Sequence, residues 1–154
     1  MKRKPAKPVA AVYDRRPNRS PKTSALIERR YSKLIAAAKA VQRNAHAPYS
    51  KFRVGAALLT KSGKVYTGVN VENASYGLTI CAERVAVGKA VGEGHRKFRA
   101  LAVVAPSTAL SPCGACRQVL AEFGEMVVIC ADSRNLRRVR VHLLSELLPH
   151  AFQL

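Results

Sequence analysis

Three cysteines constrain this chain more than any other feature: Cys81 in Cys81-Ala82-Glu83-Arg84, and the pair in Pro112-Cys113-Gly114-Ala115-Cys116. Both groups stand where the pattern predicts a helix to begin. A C-x-x-C pair at a helix start points two sulfurs toward one centre, and the helix dipole with its unpaired N–H groups favours thiolate, the form that binds zinc. Cys81 supplies a third ligand if the two helix starts adjoin. Structural zinc closes its shell with four protein ligands, whereas catalytic zinc keeps one position open. No fourth ligand is evident, because His46, His95, His142 and His150 show no ligand spacing to the three thiols and Cys130 reads as a small core residue at a strand end.

The remaining pattern is that of one α/β domain. Leu26, Ile27, Tyr31, Leu34, Ile35, Ala38 and Val41 recur at helical spacing after Thr23 and Ser24, and this helix ends before Pro48. Residues 52–59 alternate as Phe52, Val54, Ala56 and Leu58, Lys61-Ser62-Gly63 suits a turn, and a second extended run begins at Val65. A helix is predicted over about 80–91, with Gly92 and Gly94 as stop signals, then a strand at 98–105. A short helix from about Cys113 to Phe123, a strand at 126–131, a last strand near Val139 and Val141, and a closing helix at 143–148 complete the order. That succession predicts a sheet with helices on its faces, with parallel crossovers and one antiparallel hairpin.

The chain has 154 residues and a formal charge of +18. Residues 1–22 hold +7 of it and contain Pro5, Pro8, Pro17 and Pro21, so they read as a basic, disordered N-terminal arm ahead of a catalytic domain over 23–154. The arm leaves room for a nucleic-acid contact, but no feature requires one. No apolar run reaches the length of about 18 residues that a membrane span needs, and no secretory signal pattern opens the chain. A cytoplasmic protein without membrane contact is expected.

Glu83 lies two residues beyond a candidate ligand. A first-turn glutamate is favoured by the dipole in any helix, but beside zinc it suits a proton shuttle. Zinc lowers the pKa of water from about 15.7 toward 7. Glu83 would take the proton, deliver it to a ring nitrogen next to the attacked carbon, and assist departure of ammonia, the chemistry of base deaminases. Three thiolates on zinc leave a net charge near −1, which calls for compensation. Arg84, beside Cys81, is expected to donate to a ligand sulfur, with an exposed helix arginine as the plainer reading. Arg117, beside Cys116, fits the exposed role better.

Four segments in order resemble cytidine deaminases: Phe52-Arg53-Val54-Gly55-Ala56-Ala57-Leu58, Asn70-Val71-Glu72-Asn73-Ala74-Ser75-Tyr76, Cys81-Ala82-Glu83-Arg84, and Ser111-Pro112-Cys113-Gly114-Ala115-Cys116-Arg117-Gln118. The resemblance runs from about Leu26 to Phe152 and is to the small, homotetrameric form with three cysteine ligands. It implies a three-layer α/β/α fold on a mixed, roughly five-stranded sheet, one zinc ion per subunit, and hydrolysis of free cytidine and 2′-deoxycytidine in pyrimidine salvage. It also implies that Asn70 and Glu72 bind the ribose, that Phe52 lines the pocket, that the main chain at Ala82 and the carboxyl of Glu83 meet the pyrimidine edge, and that Phe152 reaches a neighbouring subunit's site. Tyr49 and Tyr76 match positions near subunit contacts. Read from the residues alone, Asn70 and Glu72 suit a turn equally well, Phe52 suits the core, and Phe152 suits a frayed terminus.

Two rivals keep the chemistry and change the substrate. A deaminase of cytosine in RNA or DNA would use the positive charge, but the chain has no tryptophan and much of its charge lies in the arm. A deaminase of modified or antibiotic cytosine nucleosides shares the cysteine motifs, and Asn70-Val71-Glu72-Asn73 favours ordinary ribose over it. A third reading, a zinc-stabilised binding module, lacks a fourth ligand and leaves Glu83 without a task.

Overall fold

The structure, a computed structural model, describes residues 21–154, with side chains described from Arg29 onward. The predicted arm therefore lies outside the described residues, apart from Pro21 and Lys22, which open the first helix. Helix α1 spans Pro21–Gln42, ahead of the predicted Thr23 start, with proline at the first helical position, where its missing N–H costs nothing. Strands β1 (Gly55–Thr60) and β2 (Val65–Val69) form the expected hairpin. Gly63 supplies the left-handed turn residue, at φ 97°.

Helix α2 (Ala82–Gly92) leads to β3 (Phe98–Ala105), then come α3 (Gly114–Ala121), β4 (Val127–Asp132), β5 (Asn135–Leu143) and the single turn α4 (Leu144–Leu147). The sheet order is β2-β1-β3-β4-β5. Strands β2, β3 and β4 run in one direction and β1 and β5 in the other, so β3 and β4 are the directly paired parallel strands, with α3 crossing between them. The expected parallel crossovers are present, through α2 from β2 to β3 and through α3 from β3 to β4, and the expectation of one hairpin is corrected, since β4 and β5 form a second. Its turn carries no glycine. Asp132 makes it instead, accepting from the Arg134 N–H at 3.0 Å and pairing with the Arg134 guanidinium at 3.0 Å.

Each face of the sheet has its own core, which gives three layers. On one face Tyr31, Leu34, Ile35 and Ala38 of α1 pack on Ala57, Ala102, Val104 and Ile129. On the other, Ala82, Ala86 and Ala90 of α2 and Leu120 of α3 cover Ala56, Leu58, Leu101, Val103 and Val128. Two glycines set how closely the helices sit. A Cβ on Gly55 would lie 2.1 Å from the Ala38 carbonyl oxygen of α1. One on Gly68 would lie 2.3 Å from the Ala82 oxygen and 2.5 Å from the Ala86 nitrogen of α2. The hairpin is thus pressed between two helix backbones, and the start of α2 is held against β2.

Candidate metal centre and its surroundings

Cys81 caps α2 and Cys113 caps α3, each with extended backbone (φ −70°, ψ 151° and φ −67°, ψ 165°), while Cys116 lies buried one turn into α3. Strands β2 and β3 run the same way, and α2 follows the first and α3 the second, so both helix starts lie at one end of the sheet and two positive dipole ends face the same point. The three Sγ atoms lie within 4.8 Å of one another, and Cys81 and Cys113 are 3.8 Å apart. Tetrahedral ligands at a Zn–S distance of about 2.3 Å stand about 3.8 Å apart, so the donors fit zinc. Among the described residues this is the one group of three or more potential ligands, and it contains no histidine.

The electrostatics favour thiolate at Cys81. The hydrogen bond with Cys116, followed by Arg84 and Cys113, brings the Cys81 thiol down to about 5 against the opposing effect of burial. The same contact with Cys81, with burial, pushes Cys116 upward. Arg84 donates from Nη2 to the Thr79 carbonyl at 3.1 Å, and its buried Nε has no hydrogen-bond partner. Its charge acts on Cys81 and Cys116. A buried, unpaired N–H is costly unless an acceptor faces it, and an anionic sulfur cluster is such an acceptor.

Glu83 is 5% exposed, in the first turn of α2 beside the thiols. Burial pushes its carboxyl up to about 7, with the negative charge at Cys81 adding to the rise. Ala82, the first residue of α2, is fully buried. Cys130 lies in the core, where burial raises its thiol to about 12.

Asn70 and Glu72 follow β2 and are both buried. Asn70 Oδ1 accepts from the Val54 N–H at 2.8 Å, and its Nδ2 donates to the Phe52 carbonyl at 2.9 Å. Asn70 thus bonds the main chain of residues 52–54 with its side chain, and β1 begins at Gly55 and not at the expected Phe52. Glu72 accepts from the N–H groups of Tyr49 and Ser50, at 2.9 and 3.2 Å, and from the Ser50 hydroxyl. Ser50 is the main cause of a lowered Glu72 pKa. Lys51, in the same loop, has a left-handed backbone at φ 57°. That geometry costs about 1 kcal/mol and persists because the bonds on either side dictate it. Phe52 follows it, 38% exposed.

Arg117 is not the exposed helix residue expected. Its guanidinium donates to the Pro112 carbonyl, the Ser111 hydroxyl and the Leu147 carbonyl, at 2.8, 2.9 and 2.8 Å, tying the segment before Cys113 to the end of α4. Gln118 bonds the main chain of Phe152 and Ser50 the carboxylate of Glu72, contacts that the sequence does not signal because each joins residues distant in the chain. Phe152 is 70% exposed, and Tyr49 and Tyr76 are also exposed.

The chain matches the family model described as cytidine and deoxycytidylate deaminase zinc-binding region over residues 28–131. It is similar to a protein of Dictyostelium discoideum named probable cytidine deaminase, at 51% identity, with 78% of this chain and 82% of that one covered. It is also similar to the cytidine deaminase of Sporosarcina psychrophila, at 50% identity, with 78% and 89% covered. The crystal structure of cytidine deaminase from Burkholderia pseudomallei superposes with a TM-score of 0.75 at 50% identity, covering 79% of this chain and 98% of that one.

Proposed function

Since this chain belongs to the cytidine deaminase family, we propose that it is a zinc-dependent enzyme hydrolysing free cytidine and 2′-deoxycytidine to the uridine nucleosides and ammonia. The observation that carries this reading is three sulfurs converging within 4.8 Å at two helix starts, with the buried carboxyl of Glu83 beside them. Cys81, Cys113 and Cys116 would hold the metal. Zinc held there supplies a water acidic enough to attack near neutral pH.

The chain's own groups do the rest. Glu83 takes a proton from the attacking water as its oxygen bonds to C4 of the pyrimidine, and passes that proton to N3. It then carries the second proton to the amino nitrogen, the C4–N bond breaks, and ammonia leaves. The main chain at Ala82 meets the pyrimidine edge. Arg84 supports the ligand sulfurs, with its unpaired Nε available to donate.

Asn70 and Glu72 serve the ribose with the capacity left over from holding the 49–54 loop, because each keeps a lone pair or proton that the loop does not use. Phe52 lies against the base. Phe152, too exposed to belong to its own core, completes the pocket of a neighbouring subunit in a homotetramer. The reading includes a cytoplasmic role in pyrimidine salvage. All four cysteines are free, and among the described residues no helix is long and apolar enough to cross a membrane. This reading gives the basic segment of residues 1–22 no part in the chemistry.

The test is the ultraviolet absorbance change of purified protein with free cytidine, beside a Glu83→Ala variant checked for zinc. Loss of the cytidine spectrum with the wild type alone is the expected result. No change with zinc-loaded wild type, together with turnover of a cytosine-bearing oligonucleotide or a modified cytosine nucleoside, would transfer the function to those substrates. A monomeric mass in solution would remove the tetramer and the role of Phe152.

A further inference from the structure

We propose that Gln118 is a positioning residue for a site in another subunit: its side chain sets the place of Phe152, an inference that rests on the reading of Phe152 given above. The primary amide of Gln118 grips one residue of main chain from both sides. Nε2 donates to the Phe152 carbonyl at 2.9 Å, and Oε1 accepts from the Phe152 N–H at 3.1 Å. A side-chain amide used this way imitates a neighbouring strand and fixes the backbone where none is present. The segment from Ala151 onward has no helix or strand of its own, so its geometry depends on such contacts.

Arg117 adds a second attachment five residues upstream, at the Leu147 carbonyl. The grip takes only the backbone of Phe152 and leaves the ring 70% exposed. An apolar ring presented that way is held out from its own chain. Gln118 also stands two residues beyond Cys116 on α3, so the helix that presents two of the three sulfurs of one subunit aims the aromatic wall of the next.

The test uses the zinc-loaded full chain and four variants: Gln118→Leu, Gln118→Glu, Phe152→Ala, and Gln118→Leu with Phe152→Ala. Gln118→Leu is expected to raise KM for cytidine about three- to tenfold, the effect of two lost hydrogen bonds, with kcat within about twofold. Zinc content and assembly mass stay as in the wild type, and amide exchange over residues 149–154 accelerates. Gln118→Glu, which keeps the acceptor and loses the donor, falls between. The double variant matches Phe152→Ala alone, because both changes remove one function. Multiplying effects, or wild-type KM and exchange for Gln118→Leu beside an impaired Phe152→Ala, would overturn the inference and leave the reading of Phe152 standing. Wild-type kinetics for Phe152→Ala would overturn that reading and the inference with it. Should Gln118→Leu fail to assemble, Gln118→Glu carries the same comparison.

Discussion

Asn70 and Phe52 are joined by a hydrogen bond of 2.9 Å from the Asn70 amide to the Phe52 carbonyl, while the other end of the same amide receives the Val54 N–H. One buried side chain thus supports the segment that carries Phe52, the aromatic proposed for the pocket. Replacing Asn70 with Ala leaves two main-chain groups unpaired, at a cost of about 1 to 3 kcal/mol. Thermal melting should show that loss, and KM for cytidine should rise because the proposed ribose contact goes with the loop support. Unchanged KM with lowered stability would confine Asn70 to the loop.

Gly68 permits no side chain. Alanine in a strand gains about 0.5 to 1 kcal/mol over glycine from the unfolded state. Here its Cβ would stand 2.3 and 2.5 Å from main-chain atoms of α2, which no rotamer change can relieve. The clash wins, and Gly68→Ala should lower stability by about 3 kcal/mol or more in urea melts. Because α2 must lift, zinc content should fall as well. Alanine at Gly88, inside α2 with nothing within 4 Å of its Cβ, serves as the control and should keep its zinc and gain about 0.5 to 1 kcal/mol.

The ionised form of Glu72 is stabilised in the fold, first by the Ser50 hydroxyl. A carboxyl whose native pKa lies below its ordinary 4.5 contributes stability that is complete above that value and is lost as pH falls through the native pKa. Ser50→Ala narrows the gap between native and unfolded pKa. The stability difference between wild type and Ser50→Ala should therefore be full at pH 6 to 7 and shrink below about pH 4. Denaturant melts across that range check the prediction, and a pH-independent difference would mean that Ser50 acts by packing.

Metal should leave with any one sulfur. Zinc analysis is expected to find one ion per wild-type chain and a large deficit in Cys81→Ser, Cys113→Ser and Cys116→Ser, while Cys130→Ser, outside the three-sulfur group, keeps its zinc. Chelation of the wild type should lower its melting temperature, because the ion binds only the folded arrangement. Retained zinc in two of the three ligand variants would reject the ligand set.

The thiol centre was legible because its chemistry is local: Cys81, Cys113 and Cys116 announce helix starts and a shared ligand in a few residues each. The β1–β2 hairpin was legible for the same reason, through Lys61-Ser62-Gly63. What escaped depends on distant backbone. Gly55 and Gly68 look like ordinary strand glycines until α1 and α2 are laid across them, and Arg117 looks like a surface charge until Leu147 comes round to meet it. The start of β1 at Gly55 was hidden similarly, since Phe52 and Val54 alternate correctly for a strand but are claimed by Asn70. The second hairpin was missed because Asp132 makes its turn without glycine.

The outer rim of the sheet is β5, which carries Arg137, Arg138 and Arg140 exposed to solvent. Two such rims approaching edge to edge would set guanidinium against guanidinium, so one copy's sheet resists being lengthened by another's. The repulsion reaches about 8 Å at physiological ionic strength and shortens as salt rises. Colloidal dispersal is thus written along the margin of the molecule farthest from the β1–β2 hairpin, and concentrated salt is the condition under which that protection weakens.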